Sequence, residues 1–225
     1  CSSDLGMVNI TSGLIDKKVK NMRFFLNYPK IEVDDEGEEI QQFAQEVNKS
    51  ILNEVSIFEE VVIYTYCDEI IIGNINVISE YNVAFNRGNI VSIPMEFSQI
   101  IGLTDISNIY SYNYDFDLMK KITLEDIFKE DVDYEKIIQS YIMEEIYEIL
   151  DNYTSHITYD LYELMMESIY ICEDPVFYFN GRDLVICISS FELTSQVCNL
   201  IEFTISFKKI KNILSDYALK NIFLY

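Results

Sequence analysis

The side chains of this 225-residue chain that could carry acid–base or nucleophilic chemistry are few in kind. His156 is the only histidine, so a Ser-His-Asp or Cys-His arrangement would have to converge on that one position. It lies in the polar connection Asn152 to Ile157 and reads as a solvated loop residue. Carboxylates are abundant, and the close pairs Asp115 with Asp117 and Glu125 with Asp126 have the residue types that glycoside hydrolysis needs. With 38 acidic residues, however, such pairs arise throughout the chain. Asp115 and Asp117, or the cluster Asp34 to Glu38, could also offer oxygen ligands to calcium, but neither follows the D-x-[DN]-x-[DN]-G pattern, and both read as solvated acidic turns. Cys67, Cys172, Cys187 and Cys198 show no CxxC or Cys/His ligand spacing, which argues against zinc. They could form two disulfides or remain free thiols. There is no HExxH, no GxSxG and no phosphate-cradling glycine loop. The expectation is a protein without catalytic residues, cofactor or metal.

Charge narrows the partners. Against 16 Lys and Arg stand 38 Asp and Glu, a formal net charge of -22. Such a surface repels nucleic acid phosphates and anionic membranes and draws in cationic partners. No apolar run approaches the ~20 residues needed to cross a bilayer, so membrane association is expected only through a covalent anchor. Cys1-Ser2-Ser3 looks like the start of a mature bacterial lipoprotein, in which an N-terminal Cys is lipidated and a small polar tether follows; an artificial chain start is the competing reading.

The elements that must position these side chains are legible from periodicity. Residues 1–18 read as an N-terminal tether. Val19 to Ile31, with Phe24, Leu26 and Tyr28 alternating, reads as a strand stopped at Pro29. Ile40, Phe43, Ala44, Val47 and Ile51 give a helix to about Glu54. Val61 to Cys67, Ile75 to Phe85 and Ile90 to Phe97 read as antiparallel strands, with a hairpin turn at Asn86 to Asn89. Gly102 to Asn108 reads as a loop and Ile109 to Phe116 as a strand, with Tyr110, Tyr112 and Tyr114 on one packing face. Thr123 to Phe128 reads as a capped helical turn, Asp133 as the start of a helix with Tyr134, Ile137, Ile138, Tyr141, Ile142, Ile146, Ile149 and Leu150 on a wide buried face, and Tyr159 to Ile169 as a further helix. Val176 to Phe179 and Leu184 to Ile188 are two strands around the turn Asn180 to Asp183. A loop, Ser189 to Asn199, leads to an alternating strand, Leu200 to Ile205, then a small helix from Phe207 to Leu214 and a tail that docks or adds an edge strand. The fold class is α+β: a mixed, mostly antiparallel sheet with helices packed on it, in one domain over 19–225 with a candidate subdomain division near 100–110.

Several of these stretches in order, YPKIE at Tyr28 to Glu32, a helix carrying Asn48, GNIVSIPMEF at Gly88 to Phe97, YNYDFDLMKKITLEDIFK at Tyr112 to Lys129, and the final FYF, SFEL and IEFTI segments, resemble the extracytoplasmic domain of RsiV-type anti-sigma factors. The same module accompanies PdaC-type peptidoglycan deacetylases. The resemblance covers roughly residues 20 to 214. It implies a mixed α/β fold and, from the RsiV group, direct binding of lysozyme, a strongly basic protein whose encounter the acidic surface would favour. By position it also implies two ligand-binding segments. Where the family often carries a Gly-Gly-Ala-His-like turn, this chain has Gly102 to Ser107, with Gly102, Thr104 and Asp105 as candidates. Where the family often carries a Y-E-I-x-P-Y-A-x-G loop, it has Phe191 to Asn199, with Glu192, Thr194, Ser195 and Gln196 as candidates. Ser195 and Gln196 replace a Pro and aromatic tip, the kind of rigid anchor that commonly carries much of an interface's energy.

The expected function is therefore a non-enzymatic binding or sensor domain, extracytoplasmic and lipid-anchored through Cys1 at a Gram-positive cell surface, with a basic protein such as lysozyme as ligand. The alternatives are a peptidoglycan-associated accessory module of the deacetylase type, binding cell-wall glycan, and a self-associating surface protein.

Overall fold

A computed structural model describes residues 8–34, 37–67, 73–152, 175–188 and 201–224. The chain divides into two compact units, Cys1–Ile122 and Thr123–Tyr225. The sequence placed a division near 100–110. That stretch is instead the turn of a long hairpin, whose two strands cannot be separated without breaking their ladder.

The first unit is a seven-stranded sheet in the order β1-β2-β3-β5-β6-β7, with the short β4 paired to β5, and a long helix packed on it. β1 (Val8–Val19) and β2 (Met22–Val33) form an antiparallel hairpin in continuous register. The tether reading is thus corrected from Val8 onward. Thr11, Ser12 and Gly13 lack periodicity, but they pair with Lys30, Pro29 and Tyr28, and the partner strand supplies the order that the local sequence does not. A Cβ at Gly13 would lie 2.2 Å from the Tyr28 ring, so any larger residue there obliges Tyr28 to move.

β2 runs past Pro29, where the sequence reading stopped it. β3 (Ile75–Tyr81) pairs with β2 in parallel only over Met22 to Leu26, so Pro29 lies where β2 has β1 alone as a strand neighbour and a missing N–H costs least. The edge freed beyond Leu26 is closed by a side chain. Asn48, on the helix, accepts from the Ile31 amide and donates to the Ile31 carbonyl, both at 2.7 Å.

That helix, α1, spans Glu38–Tyr66 and absorbs the stretch Val61 to Cys67 that was read as a strand. Three consecutive β-branched residues suggested extension, yet Ala44, Val47, Ile51, Val55 and Val62 continue one stripe at helical spacing, and all are buried. Burying each such Val or Ile contributes about 1.5–3 kcal/mol, far more than their modest intrinsic disfavour for helix. The stripe covers Phe24, Leu26, Val77, Ile93, Met95 and Phe97 of the sheet.

β4 (Phe85–Arg87) and β5 (Ile90–Ile101) are joined by Gly88 and Asn89, with φ of 57° and 63°, the two left-handed residues that a tight hairpin turn demands. β6 (Thr104–Asp115) pairs with β5 along its whole length, and β7 (Lys120–Lys121) adds two residues to its far edge.

In the second unit, α2 (Leu124–Ile127) starts at Thr123, whose amide donates to the Asp126 carboxylate at 3.0 Å. α3 (Tyr134–Asn152) buries Ile138 and Ile142, and Asp133 accepts from the Lys136 amide at its start. β8 (Val176–Phe179), β9 (Asp183–Ile188) and β10 (Ile201–Ser206) form an antiparallel sheet in the order β10-β9-β8. The β8–β9 turn is set by Asn180, whose side-chain oxygen accepts from the amides of Arg182 and Asp183. On β10, Phe203 and Ile205 are buried while Glu202 and Thr204 face out, as alternation predicts. The small helix expected over Phe207 to Leu214 is only a 3-10 turn, Lys211–Ile213. The regular helix, α4 (Asp216–Asn221), lies in the tail, where Ser215 caps it and Ala218, Ile222 and Phe223 are buried. The tail docks as a helix, since its apolar residues recur at i and i+4.

Mostly antiparallel sheets with helices packed on them make this an α+β protein. No described helix is long and apolar enough to cross a membrane.

Candidate binding site at a hairpin tip

The residues with the clearest chemical potential are occupied structurally. Asp115 is buried and its Oδ1 accepts from the Leu118 amide at 2.9 Å. Asp117 accepts from the side chain of Asn89 at 2.8 Å. Both carboxylates thus fold the turn after β6. Glu125 accepts from the Tyr134 hydroxyl at 2.9 Å, and hydrogen bonds, first the Thr123 side chain's, then its own backbone amide's and that of Tyr134, hold its carboxyl below the usual range. Asp126 completes the cap of α2. Among the described residues, no group of three or more His, Cys, Asp or Glu could hold a metal ion.

The tyrosine row on β6 is largely consumed by packing. Tyr114 meets Phe43 edge-on, Tyr110 meets Phe97 at a centroid distance of 5.3 Å, and Tyr112 donates to Glu54 on α1 at 2.6 Å. Burial, followed by the nearby Glu54 charge, raises the pKa of all three phenols. They stay protonated at neutral pH, and Tyr112 serves as a hydrogen-bond donor, not a base. Cys67 and Cys187 are free thiols. Burial and then Glu202 push the Cys187 thiol upward, which suppresses the thiolate that reactivity requires.

The candidate segment at 102–107 differs from the sequence reading and is more informative for it. No loop is present. Ile101 pairs with Thr104 across a two-residue turn, Gly102-Leu103, with Gly102 at φ 64°. Thr104 and Asp105 open β6 and are exposed. Below the turn a polar ladder fixes the hairpin: Ser107 donates to Asp105 at 3.3 Å, and the hydroxyls of Ser98 and Ser107 lie 2.8 Å apart. The tip projects beyond it. Leu103 is fully exposed, the most exposed of the large apolar side chains described, and nothing lies within 4 Å of where a Gly102 Cβ would stand. The site is therefore an apolar point on a rigid two-stranded support, with a carboxylate beside it.

Leu103 was absent from the candidates drawn from the sequence, although a large apolar residue beside a glycine between two β runs was the available signal. The other candidates, Glu192, Thr194, Ser195, Gln196 and the lipidation candidate Cys1, lie outside the described residues. So do His156, Cys172, Cys198 and the helix expected from Tyr159 to Ile169.

Two crystal structures match this architecture. One is a member of the DUF3298 family from Bacteroides fragilis, with a TM-score of 0.59 and 12% identity over 96% of this chain and 97% of that one. The other is a DUF3298 family protein from Pseudomonas aeruginosa, with a TM-score of 0.59 and 10% identity over 95% of this chain and 97% of that one. The chain shares their fold. At such low identity the DUF3298 likeness is one of backbone architecture, carried by alternation and helical spacing instead of residue identity. No protein-family model and no curated protein matches the sequence.

Proposed function

We propose that this protein is a non-enzymatic binding or sensor domain of the RsiV type, acting outside the cytoplasm at a Gram-positive cell surface with Cys1 as its lipid anchor, and that its ligand is a basic protein such as lysozyme. The observation that carries the reading is the β5–β6 hairpin, which holds Leu103 fully in water on a tied support. An apolar side chain entering a partner's pocket is how interfaces concentrate their energy, and Leu103 stands free to make such an entry. The net charge of -22 supports a cationic partner by steering its approach. The DUF3298 fold supports the family, since this domain occurs in RsiV-type and PdaC-type proteins.

Two assays separate the readings. Calorimetry with lysozyme at low and moderate salt is expected to show binding that weakens as salt rises. Co-sedimentation with purified cell wall is expected to retain little protein. Retention on the wall together with no heat from lysozyme would favour the accessory-module alternative and overturn the proposal.

A further inference from the structure

A second exposed apolar feature lies on the first unit, away from the hairpin tip. On α1, Glu54, Ile57, Val61 and Tyr64 follow one another at i, i+3, i+7 and i+10, one row along the helix flank. This is not the core stripe. Ile57, Val61 and Tyr64 are 51%, 54% and 84% exposed. The row faces β6: Glu54, at its start, accepts from Tyr112, and its charge acts on Tyr110. One position round from Ile57, Phe58 packs on Phe97, which in turn meets Tyr110 edge-on. Tyr110 is itself 38% exposed. Phe58, Phe97 and Tyr110 thus join the helix flank to the strand beside the Glu54–Ile57 end of the row.

Acidic side chains flank the helix side of the strip, and at the C-terminal end of α1 Lys20 donates to the Cys67 carbonyl at 2.6 Å. Ser50 to Tyr66, which supplies the helix side of the strip, contains no Lys or Arg, and Glu54 and Glu60 lie along it, whereas Glu96 and Asp105 alternate onto the sheet face opposite Tyr110. Lys17 approaches α1 but pairs with Glu59 on the helix's opposite flank. A second copy of this chain would bring carboxylates against carboxylates. Strand addition along β6 is also blunted, because the side chain of Asn108 takes up the Ile109 amide at 2.9 Å.

We propose that the strip formed by Ile57, Val61, Tyr64 and Tyr110 is a docking surface for an amphipathic cationic segment of a partner protein, its apolar side chains on the strip and its Lys or Arg side chains against the bordering carboxylates. This rests on the reading of a basic ligand and names a second surface for it. Helix-on-groove recognition of this kind combines apolar anchors with a charged rim.

The probe is a Leu/Lys amphipathic helical peptide, with an all-Lys peptide of equal charge as control, titrated into the whole chain by fluorescence anisotropy. The Leu/Lys peptide should bind more tightly than the all-Lys peptide. The V61S/Y64S variant, which leaves charge unchanged, should weaken Leu/Lys binding about tenfold, equivalent to about 1.4 kcal/mol, with circular dichroism unchanged. V61K/Y64K should weaken it further. Q42K/Q45K, an equal charge change on the exposed polar face of the first half of α1, should have a smaller effect than V61K/Y64K. Equal affinity for the two peptides, no loss in V61S/Y64S, or equal loss in the two lysine variants each overturns the docking surface. Lysozyme binding that depends on Leu103 but ignores Val61 and Tyr64 would overturn this surface while leaving the proposed function standing.

Discussion

β5 ends in two tight turns that solve the same backbone problem and differ in everything else. At Gly88-Asn89 the turn is held by its own neighbours: Asn89 donates to Asp117, and its carbonyl accepts from the Phe116 amide at 2.9 Å. At Gly102-Leu103 the residue that could have been polar is a leucine in open water. The first turn spends its side chain on folding. The second leaves its side chain available to a partner, which is what separates a structural hairpin from a presenting one.

The contrast between tied and untied side chains orders the expected effects of substitution. Asn48→Ala should cost most, about 2–3 kcal/mol, because it removes two hydrogen bonds and leaves both backbone groups of Ile31 without them; chemical denaturation measures this directly. Asn89→Ala should cost about 1–2 kcal/mol, from the lost bond to Asp117 and from placing alanine at φ 63°. A loss below that from Asn89→Ala would mean that the two turns are not so different. Leu103→Ser should change stability by no more than about 0.5 kcal/mol, so a large loss would show that Leu103 belongs to the fold and break the comparison.

A smaller, pH-dependent effect is expected in the second unit. Hydrogen bonding depresses the Glu125 pKa below its ordinary 4.5. A depressed carboxylate contributes stability that is present above the unfolded value and lost as pH falls through the folded one. Tyr134→Phe keeps the ring stacked on Phe128 but removes the donor to Glu125. The gap in melting temperature between wild type and this variant should be widest near neutral pH and narrow below about pH 4.5. A gap that stays constant on acidification would contradict the assignment.

The sequence made the regular elements legible wherever one period held long enough. The α1 stripe, the alternation at Phe203 and Ile205, and the left-handed Gly88-Asn89 pair were all readable, because each depends on local spacing or backbone freedom. It misled where order comes from a distant strand. Thr11 to Gly13 look like a tether until Lys30 to Tyr28 are placed opposite them, and Val61 to Cys67 look extended until the core beneath Val62 is known. The hairpin tip was half legible: Gly102, Thr104 and Asp105 were singled out through resemblance. The exposure of Leu103 depends on the strands stopping at Ile101 and Thr104, a detail of register that composition does not carry.

The most direct test of the central claim is a parallel calorimetric titration of wild type and Leu103→Ser with lysozyme at low and moderate salt. The prediction is saturable binding by the wild type that weakens with salt, and at least about tenfold weaker binding by the variant at unchanged melting temperature. No detectable binding by the wild type at either salt, or equal affinity in the two proteins, would contradict it.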